Sequence, residues 1–218
     1  MELHFDQELA GAKELLLRMS SLAEDAVALA LKGLVGRDDA LAQRVHDGDT
    51  QLDELQKQID ERCVELIALR QPKARDLRFL IVTMKIAAEL ERVGDQAVNI
   101  AHRTFQLDRE PQLKPFIDIP RLADLARGMV HDALDAFVYG KPDLAKEIIL
   151  RDDRADLIET QLHRELTSFM LEDPHTITRA MNLMGVAHNL ERIADHATNI
   201  AEEVVYLYEA RDIRHQHE

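Results

Sequence analysis

The segments LERVGDQAVNIA (residues 90–101) and LERIADHATNIA (residues 190–201) agree at eight of twelve positions, one hundred residues apart. A chain of 218 residues that writes such a segment twice is constrained to a fold with two copies of one unit. The likeness reaches further back. Val45, Asp49, Asp53, Leu55 and Ile59 align with Ile148, Asp152, Asp156, Ile158 and Leu162 at an offset of 103, and the intervening loops absorb the difference.

The repeated unit is helical in pattern. Ala, Leu, Glu, Arg and Gln dominate, Trp is absent, and Gly and Pro number only 8 and 6. No run alternates with period two for long enough to suggest a strand. Prolines and Gly/Asp clusters divide the chain into six predicted helices near residues 5–35, 39–70, 73–107, 120–139, 142–172 and 175–211. Gly36-Arg37-Asp38-Asp39 reads as a glycine stop followed by an acidic N-cap. Pro72, Pro142 and Pro174 read as first-turn prolines. The segment DREPQLKPFIDIP (residues 108–120) holds three prolines and reads as a linker. The expectation is an all-α fold of two tandem three-helix bundles related by internal duplication, with residues 1–108 and 120–218 as the bundles and 109–119 between them.

Charge and hydropathy remove several functions. The formal net charge is -14 with no Lys/Arg cluster, which argues against a nucleic-acid partner. The longest apolar run, Phe79 to Val82, is far short of the roughly 20 residues of a transmembrane helix. The opening MELHFDQELAGAK is acidic where a secretory signal is basic. A cytoplasmic protein is expected, with any membrane association peripheral. Cys63 reads as a core residue.

On a helical projection of the third helix, Lys85, Glu89, Arg92, Gln96, Asn99 and Arg103 form a polar face, while Ile86, Leu90, Val93, Ala97 and Ile100 form an apolar one. Glu91 and Asp95 lie between these faces, one turn apart, so both carboxylates point from the edge of the seam. The second helix offers Asp49 and Asp53, and the second half repeats the set with Asp152, Asp156, Glu191 and Asp195. Two like charges about 5 Å apart cost on the order of 3 kcal/mol at an effective dielectric of 20. Protons, arginines or a bound cation must offset such a cluster. Spacing alone fits both a solvated acidic edge paired with Arg92 and Arg192 and a metal site. All-oxygen ligation would suit hard cations. His102 and His188 could extend such a site, whereas His46 and His196 read as surface histidines.

The run LIALRQPKARDLRFLIVTMKIAAELERVGDQAVNIA (residues 66–101) resembles the first-half signature of the PhoU family, and NLERIADHATNIAEEVVYL (residues 189–207) resembles its second-half counterpart. The resemblance implies metal ions, Mg, Mn, Fe or Zn, at Asp49, Asp53, Glu91, Asp95, Asp152, Asp156, Glu191 and Asp195. It also implies a homo-oligomer, such as a homodimer, that negatively regulates the phosphate-starvation response and phosphate uptake. Its partners would be the phosphate transporter's ATPase subunit and a sensor histidine kinase. The second half departs from the pattern where RQPKARDLR becomes LEDPHTITRA, so the two sites need not be equivalent.

The rival from another class is a carboxylate di-iron oxidoreductase of the ferritin-like type, built from glutamates and two Glu-x-x-His motifs. The one Glu-x-x-His near a helix here is Glu172 to His175, interrupted by Pro174. The rival therefore lacks its ligands, and no enzyme activity is expected.

Overall fold

The structure, a computed structural model, describes residues 2–213. Seven α-helices follow one another: α1 (Glu2–Gly36), α2 (Asp39–Arg70), α3 (Ala74–Leu107), α4 (Asp118–Tyr139), α5 (Pro142–Ile149), α6 (Asp152–Glu172) and α7 (Ile177–Glu209), with a short 3-10 turn at Pro174–Thr176. There is no strand among the described residues. Helices α1, α2 and α3 pack on one another, and α4, α5 and α6 pack on α7. The halves meet where α3 lies along α7 and α1 meets α4, so their apolar stripes merge into one continuous core. Leu16, Met19, Ile59, Leu66, Ile86, Leu90, Ile100, Leu122 and Phe137 are among its fully buried side chains.

Local chemistry sets most helix ends. Asp38 caps α2, its carboxylate accepting from the Ala40 and Leu41 N–H groups. The left-handed residue in this turn is Arg37 (φ 53°), one position later than the glycine stop anticipated at Gly36. Arg37 instead donates to the carbonyls of Leu107, Asp108 and Glu110, tying the α1–α2 turn to the end of α3. Pro142 opens α5, and Asp173 accepts from His175 N–H in the 3-10 turn begun by Pro174. Pro72 precedes α3 instead of opening it, because Gln71 ends α2 in the left-handed region and the next helix starts at Ala74. Around that junction Arg70 pairs with Glu8 at 2.7 Å and Arg75 stands over the Tyr208 ring, so the RQPKARDLR segment fastens α1 and α7 together.

The fifth predicted helix, 142–172, is two helices. Leu150 and Arg151 keep right-handed helical dihedrals, but the bonds tighten to Arg151 N–H to Ile148 carbonyl and Arg154 N–H to Arg151 carbonyl. Without a proline or glycine at the kink, composition could not announce it. Arg151 reaches back to pair with Asp132 of α4, which holds the bend against the bundle.

Candidate metal centres

In the first half the acidic edges of α2 and α3 are brought together by Gly94. A Cβ there would lie 2.3 Å from Leu52 Cδ1 and 4.0 Å from Asp49 Oδ1, so the missing side chain lets α2 approach. Burial, then the charges of Asp53 and Asp95, raises the Asp49 carboxyl above its ordinary value, with His46 opposing. Glu91 is raised by burial, Asp95 and Asp53, and Asp95 by burial and Asp53. The four side chains therefore sense one another. A cleft lined by Gly48, Asp49, Leu52, Gly94 and Val98 opens beside them.

The second quartet is under more electrostatic stress. Burial, then Asp156 and Asp195, pushes Asp152 up to about 6, against a lowering hydrogen bond from Thr198. Burial, then Glu159, Asp156, Asp195 and Asp152, pushes Glu191 up to about 7. Asp156 is raised as well, chiefly by burial and Glu159. Asp152 Oδ1 is buried with no hydrogen-bond partner, a lone acceptor beside other carboxylates. That orphan acceptor, and donor sets of four carboxylates in each half, fit a hard cation, which would supply the missing positive charge. At neutral pH an ion entering the second half must displace protons that one entering the first half meets less.

Neither quartet is drawn onto a single point. Among the described residues, the group whose ligand atoms all lie within 4.8 Å of one another is Glu159, His188 and Glu191. Glu159 escaped the sequence reading because its first-half counterpart is Gln56, and the repeat therefore gave it no emphasis. His188 lies beside Glu191, at 3.5 Å, as its one-turn spacing suggests. His102 is exposed and stands edge-on to His46, 5.6 Å between centroids, and it is His46 whose charge reaches Asp49. Glu172 and His175 are both exposed, at the end of α6 and in the 3-10 turn.

Much of the polar face of α3 meets α7, while Arg92 and Asn99 stay exposed. Lys85 pairs with Glu203 at 2.8 Å, Asn189 donates to Gln96 at 2.7 Å, and Arg103 donates to Asn189 at 3.3 Å. His196, expected at the surface, is 2% exposed, with Nδ1 2.8 Å from Glu89 Oε2. Asn199 donates to the same oxygen at 3.2 Å. Burial would raise Glu89, but His196, Arg92 and Asn199 together hold it below its ordinary value. The helices cross antiparallel, and their contacts obey the hundred-residue repeat. Glu89–His196 transposes to Asn189–Gln96, and Lys85–Glu203 transposes to Gly185–Arg103, where the guanidinium fills the space a Gly185 Cβ would take. A helical projection registers polarity, but not whether a polar face is covered by a second polar face.

Comparison with known proteins places this arrangement. The PhoU domain profile matches twice, over residues 16–104 and 119–204. The chain belongs to the PhoU family. A phosphate-specific transport system accessory protein PhoU homolog from Aquifex aeolicus is 43% identical over 97% of this chain and 96% of its own length. One from Pseudomonas putida is 40% identical over 97% of this chain and 83% of its own. The crystal structure of PhoU from Pseudomonas aeruginosa superposes with a TM-score of 0.92 at 38% identity, covering 95% of this chain and all of that one. The phosphate transport system regulatory protein PhoU from Streptococcus pneumoniae gives 0.90 at 30% identity, covering 96% and 99%. The PhoU repeat thus includes both acidic edges and the α3–α7 seam, and no described helix is long and apolar enough to cross a membrane.

Proposed function

We propose that this PhoU-family chain is a non-enzymatic regulator of phosphate uptake and a negative regulator of the phosphate-starvation response. It acts in the cytoplasm, as a homodimer, between the phosphate transporter's ATPase subunit and a sensor histidine kinase. The observation that carries the reading is the pairing of family membership across both halves with an acidic quartet at the same place in each. The names of its relatives, accessory to a phosphate-specific transport system, support the transport side of the role.

Asp49, Asp53, Glu91 and Asp95 would hold metal in the first half, and Asp152, Asp156, Glu191 and Asp195 in the second. A bound cation would supply the positive charge that holds the acidic edges closed where α2 packs on α3 and α6 packs on α7. The residues' own part is to fix that closure, and so the shape presented to partners. Without metal, phosphate is not a direct ligand of these edges, since acidic clusters repel it.

Two measurements test this. Deleting the gene should derepress phosphate-starvation genes in high phosphate; unchanged repression, in a strain with no second copy, refutes the regulatory role. Purified protein should carry metal by elemental analysis and lose thermal stability on chelation. Saturation at 100 times Kd contributes about 2.7 kcal/mol, or roughly 5–11 °C for a chain of this size. No metal, and no shift on adding Mn, Fe or Zn, removes the site assignment.

A further inference from the structure

Glu159 and His163 lie one turn apart on α6, and His188 and Glu191 lie one turn apart on α7, so each helix brings one carboxylate and one imidazole to the same edge. His188 Nδ1 is 3.2 Å from Glu159 Oε1 and 3.5 Å from Glu191 Oε2, and His163 Nε2 is 3.7 Å from the same Glu159 oxygen. Donors bound to one tetrahedral ion at 2.0–2.1 Å sit about 3.3–3.4 Å apart. The ligand atoms of Glu159, His188 and Glu191 all lie within 4.8 Å of one another, and His163 flanks the set through Glu159.

Protons serve this set poorly. A neutral imidazole has one N–H, yet His188 Nδ1 faces two carboxylates. His163 Nε2 also has the Met184 carbonyl at 3.5 Å as a competing partner. One divalent cation would satisfy both carboxylates and the His188 ring nitrogen together. Alongside, the buried Asp152 Oδ1 lacks a hydrogen-bond donor, and Asp152 is close enough to act on Glu191. The first half has no such set: the corresponding residues are Gln56, Asp60, Ala88 and Glu91.

We propose that Glu159, His188 and Glu191, with His163 beside Glu159, form a mixed nitrogen–oxygen site for a first-row transition ion of the zinc class, present in the second half alone. An imidazole ligand favours Zn over Mg or Ca, which take oxygen ligands. The inference rests on the metal reading above only through Glu191, which both donor sets share. The side chains of His163 and His188 are 41% and 55% exposed, so the ion enters directly from solvent.

The test is calorimetric titration of metal-stripped, full-length protein with Zn or Mg alone, together with Co absorption spectra. Three proteins are compared: the natural chain, His163→Asn/His188→Gln, and Asp49→Asn/Asp53→Asn. Circular dichroism melts check that each folds. The natural chain should bind one Zn that Mg does not displace and give the intense visible bands of tetrahedral Co. The histidine variant should lose those bands and bind that Zn at least tenfold more weakly, a loss of about the size that removing even an outer-shell partner causes. The first-half variant should keep both. Unchanged Zn affinity in the histidine variant, or equal competition by Mg, overturns the site. If the histidine variant weakens Zn while the first-half variant leaves Mg binding as well as Zn binding unchanged, this site stands and the all-oxygen reading of the first half fails. If the first-half variant alone changes metal binding, this site falls and that reading stands.

Discussion

Glu191→Gln isolates the electrostatic cost of the second acidic edge. Burial and the surrounding Glu159, Asp156, Asp195 and Asp152 move the Glu191 carboxyl from 4.5 to about 7. At about 1.36 kcal/mol per unit the ceiling is about 3.4 kcal/mol, and solvent screening of a side chain still 21% exposed brings this to about 2 kcal/mol. The sign follows from proton uptake. The folded state holds this proton more tightly than the unfolded chain, so the penalty is absent below pH 4.5, grows as pH rises towards 7, and is complete above it. Glutamine keeps the shape and drops the charge. Metal-free Glu191→Gln should therefore melt roughly 4–8 °C higher than the natural chain at pH 8 and at nearly the same temperature at pH 4. Adding saturating Mn or Zn should reverse the order, because the amide is the poorer ligand. Differential scanning calorimetry at both pH values, with and without metal, reads all four conditions. A variant no more stable at pH 8 without metal, or equally stabilised at pH 4, refutes the reasoning.

Other expected outcomes concern the packing around these edges. His196→Ala leaves the Glu89 carboxylate buried beneath α7 without its principal partner, and should cost about 2–3 kcal/mol at pH 7 in urea denaturation. Because Glu89 is held below its ordinary value, part of that loss should disappear as pH falls through the Glu89 titration; a loss independent of pH contradicts the pairing. Gly94→Val sets a branched side chain against Leu52 and should destabilise by about 1–3 kcal/mol, while lowering the affinity of the first-half edge for Mn; retained stability and affinity would show that α2 does not depend on this approach. Cys63 is fully buried and its thiol is pushed up to about 12, chiefly by burial, so a thiol reagent should label it only on unfolding; rapid labelling of native protein refutes this.

Much of this architecture was legible because duplication and helical periodicity leave marks in single residues. Leu90, Val93, Ala97 and Ile100 announce a buried face, and each is buried; Cys63 likewise belongs to the core. Asp38 and Pro142 announce helix starts because capping chemistry is local. The kink at Leu150–Arg151 left no mark, since it is held by a distant pair, Arg151 with Asp132. His196 was misjudged for a related reason: a polar residue on a helix predicts solvent only when no second polar surface arrives to cover it. The acidic pairs were visible through their repetition, whereas Glu159 and His163 were not, being confined to one half.

The seam between α3 and α7 bears on what can replace it. If two first halves were to dock through α3 in the same crossing, Lys85 of one would face Arg103 of the other, cation against cation. Within one chain, divergence after duplication answers Lys85 with Glu203 and leaves Arg103 room over Gly185. The interface has become heterologous, each side written for the other. A fragment of the first half is thereby discouraged from pairing with its twin, and self-association of the whole protein must use a different surface.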